Sequence, residues 1–166
     1  MTSKEYYEKI YKILGAYTPI MEDCGKLCGS ACCEGEEDTG MYLFPGEKHL
    51  YNKEKGWLKI IKSDFEYSDG KFADILVCKS SCPRDKRPLS CRIFPLLPYV
   101  NEYGEVSVKL DPRGKSVCPI VKADLMEELN SEFVKRVLKI GKIMMHSCAN
   151  AEFLFNLSRL TDEYDL

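Results

Sequence analysis

Asp23-Cys24-Gly25-Lys26-Leu27-Cys28-Gly29-Ser30-Ala31-Cys32-Cys33 carries four cysteines in one short segment, with small residues at 25, 29, 30 and 31. Core filling does not call for thiols at this density. Spaced by residues too small to hinder wrapping, they either chelate a soft metal or pair as disulfides, and the redox compartment selects between the two.

The rest of the chain bears on that choice. The first residues, Met1-Thr2-Ser3-Lys4-Glu5-Tyr6-Tyr7, are polar and lack the apolar core of a secretory signal. No apolar run approaches the roughly 20 residues of a membrane-spanning helix. A cytoplasmic, reducing location is the expectation, and it favours metal over disulfides. Nine cysteines, an odd number, argue the same way. The 24 basic and 26 acidic residues nearly cancel, to a net charge of -2. No basic excess points to nucleic acid or to an anionic membrane surface. At 166 residues the chain suits a single domain, 1–166, able to bury a modest core without staples.

Hydrophobic periodicity gives the elements around the cysteines. Residues 3–14 read as an amphipathic helix opened by Ser3, with Tyr6, Tyr7, Ile10, Tyr11, Ile13 and Leu14 on one broad face. An acidic loop at 34–38 and a short apolar run at 41–44, ended by Pro45-Gly46, come next. Residues 57–61 and 72–78 read as strands separated by Ser68-Asp69-Gly70, and 96–101 with 105–110 as a hairpin around Tyr103-Gly104. From about 121 the pattern turns helical, with Leu125, Met126, Leu129, Phe133, Val137, Leu138 and Ile140 at three- and four-residue steps. Gly141 either interrupts this element or permits close packing inside it. A last apolar face runs from about 149 to 160. The expected class is α+β: helices at both ends, short antiparallel strands and cysteine-bearing metal-binding loops between them.

Eight of the cysteines fall in three places: Cys24, Cys28, Cys32 and Cys33; Cys78, Cys82 and Cys91; and Cys118. All lie in or beside glycine-, proline- or serine-containing loops. Eight thiolates fit two tetrahedral four-cysteine zinc sites, or one iron-sulfur cluster with four spares. Cys32 and Cys33 are adjacent, and neighbouring side chains on extended backbone point apart, so the pair suits two ions or one ligand and one packed thiol. The spacing CxxxCxxxCC departs from paired CxxC knuckles and from the bacterial ferredoxin run. Four thiolates on one zinc leave a net negative charge to be offset. Arg84, Lys86, Arg87, Arg92, Lys26 and Lys79 stand beside the cysteines in sequence.

CxxxCxxxCC, the string Arg87-Pro88-x-x-Cys91-Arg92-x-Phe94-Pro95 and Cys118-Pro119-Ile120 together resemble the CxxCxxCC family of zinc- or iron-chelating proteins. That family takes in the metal-binding region of bacterial flagellin lysine N-methylases. The likeness runs from about 24 to 120. It implies Cys24, Cys28, Cys32, Cys33, Cys78, Cys82, Cys91 and Cys118 as metal ligands, with Arg87, Pro88 and Arg92 matching the accompanying motif. The first two gaps hold three residues where the family's hold two. The chain has no glycine-rich nucleotide loop and falls short of full methylase length.

Of the other candidates, Cys148 is expected to be a small buried thiol and His146 a packed or partly exposed side chain. His49 is the better outside ligand. No serine-nucleophile elbow, phosphate loop or HExxH appears, so nothing in the sequence demands an enzyme. The expectation is a metal-binding protein that chelates zinc in a structural site. The alternative is an iron-sulfur protein, with iron serving redox or methyl-transfer chemistry. A weaker third reading is a metal carrier handing an ion to a partner.

Overall fold

The computed structural model describes residues 1–33, 39–79 and 82–164. The acidic loop at 34–38 therefore lies outside the described residues. Helix α1, Ser3–Leu14, forms where expected, but Thr2 is its cap and Ser3 its first helical residue. The Thr2 hydroxyl accepts from the Glu5 amide while the Glu5 carboxylate accepts from the Thr2 amide, a reciprocal capping box. One face buries Tyr7, Ile10 and Leu14.

Three strands, β1 (Met41–Leu43), β2 (Leu58–Ser68) and β3 (Lys71–Cys78), make an antiparallel sheet in the order β1-β3-β2. β2 runs seven residues beyond the expected end at 61, because Asp69-Gly70 rather than the polar residues before it makes the turn. Gly70, at φ +68, supplies the left-handed conformation there. The register pairs Leu58 with Cys78, so the last residue of the central strand delivers a thiol to the end of the sheet. β4 (Leu96–Val100) and β5 (Val106–Leu110) form a separate hairpin, as expected.

The apolar pattern after 121 is not one helix. It comprises α4 (Pro119–Lys122), a 3₁₀ turn at Met126–Glu128 and α5 (Ser131–Met144). Asn130 makes the break: its side chain accepts from the Glu132 amide, starting α5 after Leu129. Helix α6, Cys148–Tyr164, follows. The α+β class holds for the described residues, with helices at both ends and antiparallel strands between. None of the described helices is long and apolar enough to cross a membrane.

The main core gathers Tyr7 and Ile10 of α1, Phe133, Val137 and Ile140 of α5, Phe153 and Leu154 of α6, and Leu96 and Val100 of β4. Gly141 lies inside α5 and permits close packing. A Cβ there would sit 2.7 Å from Pro98 Cβ and 2.9 Å from Val106 Cγ1. Gly141→Ala should gain about 1 kcal/mol of helix propensity and lose about 1–3 kcal/mol to overpacking against the hairpin. A net fall in the urea midpoint is the expected reading.

Candidate metal centre

The first cysteine segment is two turns rather than an open loop. Helix α2, Gly25–Cys28, is a single turn closed by Gly29 at φ +59, and Ser30 follows at φ +60. The chain then enters a 3₁₀ turn at Ala31–Cys33. Neither turn buries a residue. Apolar packing therefore contributes little to holding this segment in place.

One tether links it to the second segment. Asp23 and Arg84 form a two-pronged ion pair across 61 residues, with Arg84 Nη2 donating to Asp23 Oδ1 at 2.8 Å. Asp23 Oδ1 also accepts from the Gly25 amide. Hydrogen bonds from Arg84 and Gly25 hold the Asp23 carboxyl well below the usual carboxylate range. The pair is largely exposed, so its contribution to stability is below about 1 kcal/mol. Its effect is to set Cys24 opposite the turn that follows Cys82.

Arg87 and Arg92, equivalent neighbours of Cys91 in the sequence, do different things. Arg87 Nε donates to Cys82 Sγ at 3.4 Å and is the guanidinium against the thiols. Arg92 instead donates to the carbonyls of Arg87 (2.6 Å) and Asp85 (2.5 Å), and its guanidinium lies 4.2 Å from the centre of the Tyr11 ring. It staples the 85–87 loop to α1. Cys91 rides on α3, Leu89–Ile93, which follows Pro88 and ends before a cis Phe94–Pro95 peptide.

The first turn of α3 is held by Glu47, which no motif in the sequence singles out. Glu47 is 0% exposed. Its Oε1 accepts from the Leu89 amide (2.7 Å) and the Tyr11 hydroxyl (2.5 Å), and its Oε2 from the Phe44 amide (3.0 Å). Burial pushes its carboxyl above the ordinary range, against the pull of these donors and of Arg92. The available signal was an acidic residue directly after an apolar strand and a Pro-Gly turn.

The eight cysteines come together around two adjoining small cavities. One, of about 80 Å³, is lined by Cys32, Cys33, Cys78, Cys82 and Cys91, with Arg87 on its wall. The other, of about 10 Å³, is lined by Cys24, Cys28, Cys32 and Cys118, with Leu27, Pro95, Pro119 and Ile120 around them. Phe94 and Cys32 line both. The Phe94 ring reaches this position because Gly114 has no Cβ, which would stand 2.8 Å from Cζ. At Gly40, a Cβ would run into the Leu76 carbonyl, so glycine lets the chain lie against β3 at the first cavity.

None of the nine cysteines is in a disulfide. Among the described residues, no group of three or more His, Cys, Asp or Glu side chains is already arranged to hold a metal ion. The thiols share cavities without converging on a point. The donor set itself fits a soft or borderline ion.

The electrostatics divide the thiols. Burial raises Cys24 and raises Cys91 well above the ordinary thiol range, and burial followed by the Cys82 thiol holds Cys78 up at about 11. Cys33 is pulled down, first by a hydrogen bond from Cys32 and then by Arg87 and Arg84, with burial opposing. Cys32, donating that hydrogen bond, is pushed up. Most of these groups are neutral thiols at neutral pH, and a bound cation would replace their protons.

His49 is exposed and lines neither cavity. Cys148 was expected to be buried and is exposed, because it opens α6 on the outer side of the helix. His146 is also exposed. Comparison of the chain with protein-family models, with curated proteins and with solved structures found no match.

Proposed function

We propose that this protein is a zinc-binding protein whose ion is structural, held by cysteines of the loops. One observation carries the reading: eight cysteines from three separated stretches of chain line two adjoining small cavities, with a guanidinium on one sulfur. Four thiolates on one zinc are net negative, and Arg87, which donates to Cys82, is the cation in contact that offsets this. The smaller cavity, at about 10 Å³, is the size of one water. The resemblance to the CxxCxxCC motif adds the same ligand set and leaves zinc or iron open.

In this role the ion contributes folding free energy to turns that bury nothing of their own. Elemental analysis with a visible spectrum, on protein purified without oxygen, tests it. The expected result is colourless protein with stoichiometric zinc. Metal-free protein with nine titratable thiols would overturn the reading. Brown protein containing iron and sulfide would replace it with the iron-sulfur alternative.

A further inference from the structure

The geometry points to two separate ions, one on Cys33, Cys78, Cys82 and Cys91 and the other on Cys24, Cys28, Cys32 and Cys118, divided between Cys32 and Cys33. This inference rests on the metal-binding reading and goes beyond it by assigning each thiol to an ion.

The cavity walls carry the assignment. Cys78, Cys82, Cys91 and Cys33 line only the first cavity, and Cys24, Cys28 and Cys118 only the second. Cys32 alone lines both, and placing it with the second set completes four ligands on each side. Tetrahedral zinc takes four. The backbone at the division supports the split. In the 3₁₀ turn at Ala31–Cys33, successive side chains are rotated by roughly 120° about the axis. Adjacent residues there face different neighbours. Phe94, admitted by Gly114, lines both cavities.

The surroundings of the two sets also differ. Arg87 lies on the first cavity and donates to Cys82, so a tetrathiolate there has a cation in contact. The second is walled by Pro95, Pro119 and Ile120, with no charged side chain on its lining among the described residues. The two ions would therefore be separate sites in different environments rather than one cluster with bridging sulfurs.

Native mass spectrometry of the full chain loaded with zinc, with paired serine substitutions, tests this. Wild type should carry two zinc ions. Cys78→Ser with Cys91→Ser, both in one set, should leave one ion. Cys24→Ser with Cys118→Ser should also leave one. Cys91→Ser with Cys118→Ser, one from each set, should leave none. A wild-type protein that binds one zinc, or a same-set pair that removes both ions from a still-folded chain, overturns the partition and leaves metal binding standing. Wild type with no zinc overturns metal binding itself. Zinc X-ray absorption on wild type gives a reading that does not depend on variants folding. Four sulfurs at about 2.3 Å without metal-metal scattering support separate ions, and metal-metal scattering overturns them.

Discussion

On the zinc-binding proposal, a strong chelator should release the cysteine-bearing segments while α1, α5, α6 and the β4–β5 hairpin stay folded. The turns at Gly25–Cys28, Ala31–Cys33 and Arg84–Lys86 bury no residue. The helices and strands share a continuous core that includes Tyr7, Phe133, Phe153 and Leu96. Ordering a backbone residue costs roughly 1–2 kcal/mol, so about a dozen residues around 23–33 cost on the order of 10–20 kcal/mol. The apparent binding free energy of a structural zinc in small peptides is about 10–16 kcal/mol. A bound ion would therefore matter most to these turns, which bury nothing, and least to the shared core. Hydrogen exchange before and after a strong chelator reads the outcome. Amides of 24–33 should lose protection and those of α5 and α6 keep most of theirs. Loss of protection throughout would make the metal a condition for the whole fold. Unchanged protection in 24–33 would show that the tethers alone hold the segment.

Glu47→Ala should be among the most damaging single substitutions outside the thiols. It orphans the buried Leu89 and Phe44 amides and the Tyr11 hydroxyl and leaves a cavity. At about 1–3 kcal/mol per orphaned group, shared among neighbours that relax, the loss is roughly 3–5 kcal/mol. Glu47→Gln keeps the volume but must turn an amide N–H₂ toward one of these donors, for about 1–3 kcal/mol. Urea midpoints give both values. α3 carries Cys91, so Glu47→Ala should also lower zinc retention more than Leu154→Ala does in the same core.

The pH dependence at Glu47 has a definite sign. A carboxyl raised by burial binds its proton more tightly folded than unfolded. Its stabilising share is full below the unfolded value of about 4.3 and is lost as pH rises through the higher folded value. Comparing wild type with Glu47→Gln across that window should show the wild-type decline and a flatter variant. A wild-type curve that instead rises relative to Glu47→Gln would mean that the three donors and Arg92 outweigh burial.

Much of the fold was legible because its signals are local. Helix α1, the hairpin of β4 and β5 and the turn at Asp69-Gly70 each follow from periodicity and turn residues within a few positions. The stretch after 121 departs from one helix because apolar spacing carries through Leu129 while a single capping side chain, Asn130, starts a new element. Cys148 is exposed rather than buried because a thiol's burial depends on which side of α6 faces the core, and a weakly amphipathic helix leaves its first residue ambiguous.

The sequence by itself determined the inventory of candidate ligands: the eight clustered thiols, their loops and the basic residues beside them, all properties of neighbours along the chain. The tertiary structure decided how these are shared. It turned Arg87 onto a sulfur and Arg92 onto the backbone, buried Glu47 beneath α3, and set Cys118 beside Cys24 and Cys28 while Cys91 faced Cys78 and Cys82. Each of these is a contact between residues dozens of positions apart. Such contacts are selected by core packing and by tethers such as Asp23–Arg84, whose partners no local spacing specifies.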